Sequence, residues 1–251
     1  MDGMKNKLYI GSMGWSYDFW ELYPDDIPKS DYLQLYAQSF NSVEINSSFY
    51  RIPSSSTVEN WAEQTPRGFK FSTKFPRSIT HVKDLNFEPG RLDAFLTNMN
   101  HLGSKLGPFL IQFPPRFTAK KSSILKKFLE KLPEENEYTI EFRNKSWLTE
   151  ETFEILKQYN ISLVQEGYLE IEGHSSTSKN LVYVRLEGDR DQVDGEMGLV
   201  EIERYDELDT WSNRIQDYME NHRDVYVYIS KYYSGYPPRD IEYLSSKIKK
   251  S

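Results

Sequence analysis

The sequence predicts an α/β fold, a single (β/α)8 TIM barrel that spans residues 1–251 as one domain. Two observations predict it. Eight short runs rich in aromatic and β-branched residues alternate with segments whose apolar residues recur at helical spacing. Eight such units in 251 residues have the length and rhythm of a closed barrel, and an open doubly wound sheet is the alternative.

The eight predicted strands follow from the apolar runs and from the turn residues that bound them. They cover residues 8–12, 42–50, 69–75, 107–113, 138–143, 161–166, 181–187 and 225–230. The segment after strand six, residues 167–180, is polar, rich in serine and too short for a convincing helix. The sequence therefore predicts an abbreviated βα unit after strand six.

Apolar residues three and four positions apart predict the helices between the strands. The first helix should begin after Ser30, the second at a capping box that starts with Ser56, and the fifth after Thr149. Four of the predicted apolar stripes are Leu33, Tyr36, Ala37 and Phe40; Leu92, Phe95, Leu96 and Met99; Leu208, Trp211, Ile215 and Tyr218; and Ile241, Leu244 and Ile248.

Composition narrows the class of protein. The chain has no cysteine, so a disulfide framework and a thiol nucleophile are excluded. It has no apolar stretch long enough for a signal peptide or a membrane span, and we expect a soluble, cytoplasmic protein with no membrane partner. A net charge of −7 disfavours a nucleic-acid partner, because phosphate-backbone binding needs a basic face. The sequence does not fix the oligomeric state.

Six of the predicted strands place apolar side chains on one face and polar ones on the other, which inverts the usual pattern of an apolar barrel interior. The polar residues nearest the carboxyl ends of these strands are Glu44, Asn46, Lys74, Gln112, Glu141, Arg143 and Arg185. A buried, unpaired charge is costly, so these groups must pair with one another, bind a ligand or lie at the wet mouth of the barrel.

Two interpretations of this polar face stay open. Glu44 and Glu141 could neutralise Lys74, Arg143 and Arg185 in an internal ion network. Alternatively, three cations beside two carboxylates suit an anionic ligand, such as a phosphate or carboxylate, with a carboxylate left to move a proton. The two glutamates stand three strands apart and could flank such a ligand.

Other side chains near the strand ends are candidates for the site. Trp15 and Tyr50 could stack on a ligand, whereas Trp20 and Trp147 could equally pack loops against the strands. His81 is placed either to act in the site or to cap a loop. The four histidines lack the spacing of metal ligands, so neither a cofactor nor a metal is predicted. An oxygen-only Mg²⁺ or Mn²⁺ site on Glu44 and Glu141 is conceivable, but the adjacent cations compete with it.

These residues belong to motifs that resemble the YecE-like family, domain of unknown function 72. The motifs are Gly11-Ser12-Met13-Gly14-Trp15-Ser16-Tyr17, residues 44–53, residues 74–81, Gln112-Phe113-Pro114-Pro115, Glu141-Phe142-Arg143 with Ser146-Trp147, and Tyr183-Val184-Arg185-Leu186. The resemblance covers nearly the whole chain and implies a (β/α)8 barrel. It implies one pocket surrounded by Glu44, Asn46, Tyr50, Lys74, Arg77, Gln112, Glu141, Arg143 and Arg185. It brings no reaction, because the family has no established one.

The chain also departs from the family pattern at three strand ends. Where relatives usually read Arg-x-His-Gly, it has Arg185-Leu186-Glu187-Gly188. Where a histidine often precedes Ser-Trp, it has Asn144-Lys145, and where the last strand usually ends in Asn-Asn-Asp, it has Ser230-Lys231-Tyr232. If imidazole carried the chemistry of the family, this member would lack it.

Our working hypothesis is an enzyme, a hydrolase, lyase or isomerase, that binds a small anionic and sugar- or phosphate-bearing ligand and uses carboxylate acid/base chemistry. The predicted roles are proton transfer by Glu44 or Glu141, anion binding by Lys74, Arg77, Arg143 and Arg185, orientation by Asn46 and Gln112, and cover by Trp15 and Tyr50. One alternative is a non-catalytic metabolite-binding or sensor protein with the same pocket. Another is a nucleic-acid-processing barrel, which the acidic composition disfavours.

Overall fold

Nine parallel strands and nine helices are seen in the computed structural model, which describes residues 7–166, 177–178, 181–221 and 223–248. The strands are β1 (Leu8–Ser12), β2 (Ser42–Ile45), β3 (Lys70–Lys74), β4 (Leu106–Phe113), β5 (Tyr138–Phe142), β6 (Ser162–Leu163), β7 (Gln165–Glu166), β8 (Leu181–Leu186) and β9 (Asp224–Ile229). The helices are α1 (Tyr32–Ser39), α2 (Ser55–Glu63), α3 (Arg77–Thr80), α4 (Arg91–Asn100), α5 (Ser122–Leu129), α6 (Glu150–Gln158), α7 (Tyr205–Glu220), α8 (Lys231–Ser234) and α9 (Pro237–Lys247).

Backbone pairing joins the strands into two sheets, of order β1-β9-β8-β7 and β2-β3-β4-β5-β6. The predicted strand six contributes to both. Its first half, β6, pairs with β5, and its second half, β7, pairs with β8, with Val164 between them. One continuous strand was therefore the wrong prediction for residues 161–166, because the chain changes partner at Val164. The abbreviated unit predicted for residues 167–180 lies outside the described residues, except for positions 177 and 178.

Side chains bridge the edges of the two sheets where β1 meets β2. Asn41 accepts from the Ile10 amide at 2.9 Å and donates to the Leu8 carbonyl at 2.8 Å. The Tyr36 hydroxyl, from α1, accepts from the Ser12 amide at 2.8 Å and donates to the Ser42 carbonyl at 3.0 Å. These bonds satisfy edge groups that a strand ladder would otherwise pair.

The apolar strand faces pack against the helices as the sequence predicts. Val43, Ile45, Phe71, Phe109 and Ile111 are fully buried. The stripes predicted for four helices are buried too, except that Tyr218 is only half-buried: Leu33, Tyr36, Ala37 and Phe40; Leu92, Phe95, Leu96 and Met99; Leu208, Trp211 and Ile215; and Ile241, Leu244 and Ile248. The polar strand faces of the two sheets consequently point at each other. Among the described residues, no helix is long and apolar enough to cross a membrane.

Three predicted boundaries are wrong. The second strand ends at Ile45, because Asn46 takes helical dihedrals and Ser47–Phe49 forms a 3-10 turn. Ser30 lies inside a 3-10 turn that precedes α1, and the N-cap of α2 is Ser54, whose hydroxyl accepts from the Thr57 amide at 3.2 Å. The N-cap predicted at Thr149 is confirmed, since its hydroxyl accepts from the Thr152 amide.

Candidate functional site

A buried guanidinium, that of Arg185 on β8, joins the polar faces of the two sheets. Its Nε and Nη2 donate to the Oε2 and Oε1 atoms of Glu44 on β2, each at 2.9 Å. The hydroxyl of Tyr183 also donates to Glu44 Oε2, at 2.8 Å. Glu44 is 0% exposed and Arg185 2% exposed, so this bidentate pair is removed from water.

Two further carboxylates share the same guanidinium. Arg185 Nη1 donates to Glu141 on β5, and it pairs with Glu187 at the end of β8. Nη2 also lies 3.2 Å from the Met13 sulfur. An arginine has five N–H donors, and these contacts with Glu44, Glu141, Glu187 and Met13 account for all of them. In this arrangement Arg185 holds carboxylates in place.

The second carboxylate, Glu141, connects Arg185 to Gln112 and Arg143. Gln112 Nε2 on β4 donates to Glu141 Oε1 at 2.7 Å, and Arg143 Nε lies 3.5 Å from the same oxygen. Burial alone would raise the pKa of Glu141, but Arg185, Lys74 and Arg143 outweigh it and lower that pKa. Burial likewise opposes the charge of Arg185, but Glu187, Glu44 and Glu141 raise its pKa well above the usual value. Both groups are therefore charged.

Lys74, at the end of β3, differs from these paired charges. The residue is 9% exposed, and its Nζ lies 4.7 Å from the centre of the Phe49 ring. Its ammonium forms no hydrogen bond or ion pair with any residue that the structure describes. Burial, with Arg185 as the second cause, lowers the pKa of Lys74 to about 8. The protonated form of Lys74 is thus less stable, relative to the neutral amine, than the protonated form of an exposed lysine.

His81, just after α3, lies within a group of positive charges. Burial lowers its pKa to about 4, and the next four causes are the cations Arg116, Lys74, Arg143 and Arg77. The imidazole is consequently neutral at pH 7. Its Nδ1 lies 2.9 Å from the Thr80 hydroxyl, and its ring packs edge-on against Phe49 with ring centres 5.0 Å apart.

Arg116 is a member of this cation group that the sequence reasoning missed. It follows β4 in an exposed loop, and its Nη2 donates to the His81 carbonyl. Strand alternation gives no information about loop residues. The available signal was its position directly after Pro114-Pro115, at the carboxyl end of a strand whose Gln112 was already a candidate.

The other predicted site residues have different surroundings. Asn46 begins the 3-10 turn that carries Phe49, and Tyr50 is 74% exposed with its ring against Phe49. Arg77 is exposed on α3. The Trp15 ring packs edge-on against Trp61 of α2, with ring centres 5.6 Å apart.

Trp147 packs a loop against β5, since its ring stacks on Phe142 with ring centres 4.5 Å apart, which confirms the structural alternative for it; Trp20 is enclosed by the rings of Tyr17, Tyr23 and Tyr236. Trp20 and Trp147 are 1% and 0% exposed, and the Trp147 indole donates to the Phe117 carbonyl at 2.6 Å. Neither ring is available to stack on a ligand.

Metal binding has no geometric support within the described part of the chain. No group of three or more His, Asp or Glu side chains there could hold a metal ion. A Mg²⁺ or Mn²⁺ ion on Glu44 and Glu141 would have to displace the Arg185 guanidinium, which occupies both carboxylates.

Two large cavities with described linings lie at the opposite ends of the strands from the charged residues. One, of about 640 Å³, is lined mainly by apolar residues that include Leu8, Phe40 and Phe69. The other, of about 650 Å³, is lined by residues that include Tyr138 and Leu181. Neither lining contains a residue of the charged group, by which we mean Glu44, Lys74, Glu141, Arg143, Arg185 and Glu187. We place the candidate site by the convergence of charges and perturbed pKa values rather than by cavity size.

The fold and the charged group define an α/β protein with its polar centre at the carboxyl ends of parallel strands. Residues 9–251 match a family model described as "Protein of unknown function DUF72", and the chain belongs to that family. The UPF0759 protein YunF of Bacillus subtilis is 30% identical over 252 aligned positions, which cover 88% of this chain and 87% of that protein. The UPF0759 protein YecE of Escherichia coli is 34% identical over 137 residues, 55% of this chain, and the match spans about half (48%) of its own length.

Solved structures agree with this assignment. A DUF72 family protein from Thermotoga maritima MSB8 superposes with a TM-score of 0.78 at 26% identity, covering 96% of this chain and 98% of that one. A DUF72 family protein from Enterococcus faecalis V583 gives 0.76 at 20% identity, with 96% and 97% covered, and shows the shared fold alone. The resemblance to the YecE-like family inferred from the motifs is confirmed.

Proposed function

We propose that this chain binds a small anion, through a phosphate or carboxylate group, where β3, β4 and β5 end. The observation that carries the proposal is the environment of His81, where the four strongest charges are all positive. These are Lys74, Arg77, Arg116 and Arg143. Cations held close together repel one another, and a bound anion removes that repulsion.

We further infer that the two sheets form one closed (β/α)8 barrel. Three contacts across the interior support it, since Ser42 meets Tyr228 and Ser72 meets Tyr183, each at 2.6 Å, in addition to the Glu44–Arg185 pair. Val164 links the sheets on one side, and the side-chain bridges between β1 and β2 link them on the other. In such a barrel the anion would lie at the carboxyl-terminal mouth, where barrel enzymes build their sites.

Within this proposal the residues divide into two groups. Arg116 and Arg143 offer guanidinium donors to the anion, with Arg77 at the exposed rim, and neutral His81 is available as a hydrogen-bond partner. Arg185 and Gln112 fix Glu141. Asn46 supports the turn that carries Phe49, and exposed Tyr50 is placed to cover a ligand beside it.

Carboxylate acid/base chemistry on the bound anion is the second part of the proposal. Glu141 is the better placed proton carrier, because it contacts Gln112 and Arg143, whereas Glu44 is fully enclosed by Arg185 and Tyr183. All the donors of Arg185 are used, which favours the alternative of a non-catalytic binding protein. In that case both glutamates stay paired with Arg185 and support the binding site without transferring a proton.

Inorganic phosphate is the probe that tests anion binding. We expect it to raise the melting temperature of the wild type, because a ligand of the native state stabilises by RT ln(1 + [L]/Kd), about 2.7 kcal/mol at a hundred times Kd. Arg116→Met and Arg143→Met should lower the affinity. Arg67→Met, which removes an exposed arginine at the opposite ends of the strands, is the matched control and should behave as the wild type.

The outcome that refutes anion binding is an equal response to phosphate in Arg67→Met and Arg116→Met, or none in the wild type. Glu141→Gln separates the two parts of the proposal. If it keeps the response to phosphate and ends the consumption of phosphorylated or carboxylated metabolites, followed by NMR, the acid/base role stands. If the wild type consumes none of the metabolites it binds, the protein is a binding protein.

A further inference from the structure

Burial lowers the pKa of three lysines, and Lys74 is the one of them whose ammonium lacks a described hydrogen-bond acceptor. The other two are Lys70 and Lys105. Lys70 Nζ donates to the carbonyls of Ser104 and Leu106, each at 3.0 Å, and Lys105 Nζ donates to the carbonyls of Ala62 and Thr65. Those two lysines serve as structural crosslinks between loops.

Burial disfavours the positive charge of Lys74, and Arg185 is the second cause; together they outweigh Glu141, Glu44 and Glu187, which act in the opposite direction and raise its pKa. The face of the Phe49 ring lies 4.7 Å from Nζ and also favours the cation, but it offers no hydrogen-bond acceptor. With a pKa of about 8, roughly a tenth of the side chain is the free amine at pH 7. For an ordinary lysine that fraction is roughly three in ten thousand. The neutral amine is the nucleophilic form, and desolvation beside another cation is a known way to produce it.

We propose that Lys74 Nζ is a nucleophile that forms an imine with the carbonyl carbon of a small anionic aldehyde or ketone, such as an oxo acid or a phosphorylated carbonyl compound. The substrate class rests on the proposed function, because the anionic group would be held by Arg116 and Arg143 while the carbonyl faces Lys74. The imine carbon then withdraws electrons, which makes an adjacent C–H or C–C bond easier to break.

The proposed step is balanced without any further reactant. The amine nitrogen attacks the carbonyl carbon, a C=N bond replaces the C=O bond, and both amine hydrogens leave with the oxygen as water. Hydrolysis by the reverse route regenerates Lys74. No oxidant, reductant or metal takes part.

Reductive trapping on the full chain tests the proposal. The protein is incubated with pyruvate and sodium cyanoborohydride near pH 7, and modified lysines are located by peptide mass mapping. We expect Lys74 to be trapped at least about tenfold faster than Lys70, Lys105 or exposed lysines, because far more of it is unprotonated. The ratio of its trapping to that of exposed lysines in the same sample should be largest below pH 8 and should fall as pH rises further, because Lys74 is then already unprotonated while exposed lysines are not.

Four controls separate the nucleophile from its substrate class. Acetone lacks the carboxylate of pyruvate, so its labelling of Lys74, normalised to exposed lysines in the same sample, should be weaker. Lys70→Arg should leave the trapping at Lys74 unchanged, and phosphate should slow the trapping by pyruvate. Lys74→Arg should retain a folded spectrum and lose that one adduct.

Even labelling of all lysines, or none at Lys74, overturns the imine and leaves the proposed anion site standing if phosphate still raises the melting temperature. Equal normalised labelling by acetone and pyruvate overturns the anionic substrate class. Both results come from the wild-type protein, so they hold even if Lys74→Arg does not fold.

Discussion

The buried pair of Glu44 and Arg185 gives the most demanding prediction, because its loss can be compared with that of a similar but more exposed pair. Glu44→Gln keeps the shape of the side chain, replaces one oxygen by an NH₂ group and removes the charge. That NH₂ would face donors of Arg185 or Tyr183, so a buried donor would lose its acceptor. Removing one partner of a buried ion pair costs about 3–5 kcal/mol.

This cost is large for a single domain, whose unfolding free energy is about 5–15 kcal/mol. At about 2–4 °C per kcal/mol for a domain of this size, the melting temperature should fall by roughly 6–20 °C. Urea denaturation and thermal melts measure both quantities. Glu187→Gln is the matched control: it pairs with the same guanidinium, but its side chain is 15% exposed, and water can replace part of what it loses.

We expect Glu187→Gln to cost about 1–2 kcal/mol, clearly less than Glu44→Gln. The reasoning is wrong if the two variants lose equal stability, or if Glu44→Gln is neutral. A neutral result would mean that water or a rearranged partner satisfies Arg185, so that the ion network does not join the two sheets.

Three further predictions concern titration and packing. By NMR the His81 ring should titrate near pH 4, and phosphate should raise that pKa; an unmoved midpoint with phosphate would contradict the proposed anion site. Because the pKa of His81 in the folded protein lies below 6.5, this residue should make the free energy of unfolding fall as pH drops from about 6.5 to 4. Burial raises the pKa of Asp240 to about 7, so the stability contributed by its protonated form is complete below about pH 4 and is lost as pH rises through 7. Asp240→Asn should flatten the dependence of the unfolding free energy on pH, measured by urea titrations, and an unchanged dependence would contradict the raised pKa. Gly11→Ala would place a Cβ 1.9 Å from the Ser42 carbonyl oxygen and should lower the free energy of unfolding by about 1–3 kcal/mol, as measured by thermal melts. A neutral effect would show that β1 and β2 can move apart without cost.

Much of the fold could be predicted because the relevant signals are local and periodic. Alternation along the strands located Leu8–Ser12 without error and the other long strands to within one or two residues, apart from the second. The predicted end of the second strand was wrong because the Ser48 hydroxyl donates to the carbonyls of Ile45 and Lys74 and stabilises a turn. Such side-chain bonds compete with strand pairing, and the alternation of apolar and polar residues gives no sign of them. The exchange of partners at Val164 is a tertiary event with no local signature.

The convergence of the charged and amide side chains was predictable for a different reason. Glu44, Gln112, Glu141 and Arg185 share one strand face, and parallel strands bring their carboxyl ends to the same side. The pairing itself was not predictable, since the sequence cannot say which cation takes which carboxylate. The outcome, in which one guanidinium takes three carboxylates and Lys74 takes none, depends on side-chain positions that only coordinates supply.

The departure at Glu187 supports placing the proposed anion site toward β3 and β5 rather than at Arg185. In the pattern that this chain resembles, a histidine usually stands at this position, and a neutral imidazole would compete weakly for a guanidinium donor. Here Glu187 takes that donor, so none is left for a ligand. Its charge also repels an anion near β8. Four positive side chains act on His81, which lies away from Glu187, and an anionic ligand should therefore bind beside Lys74.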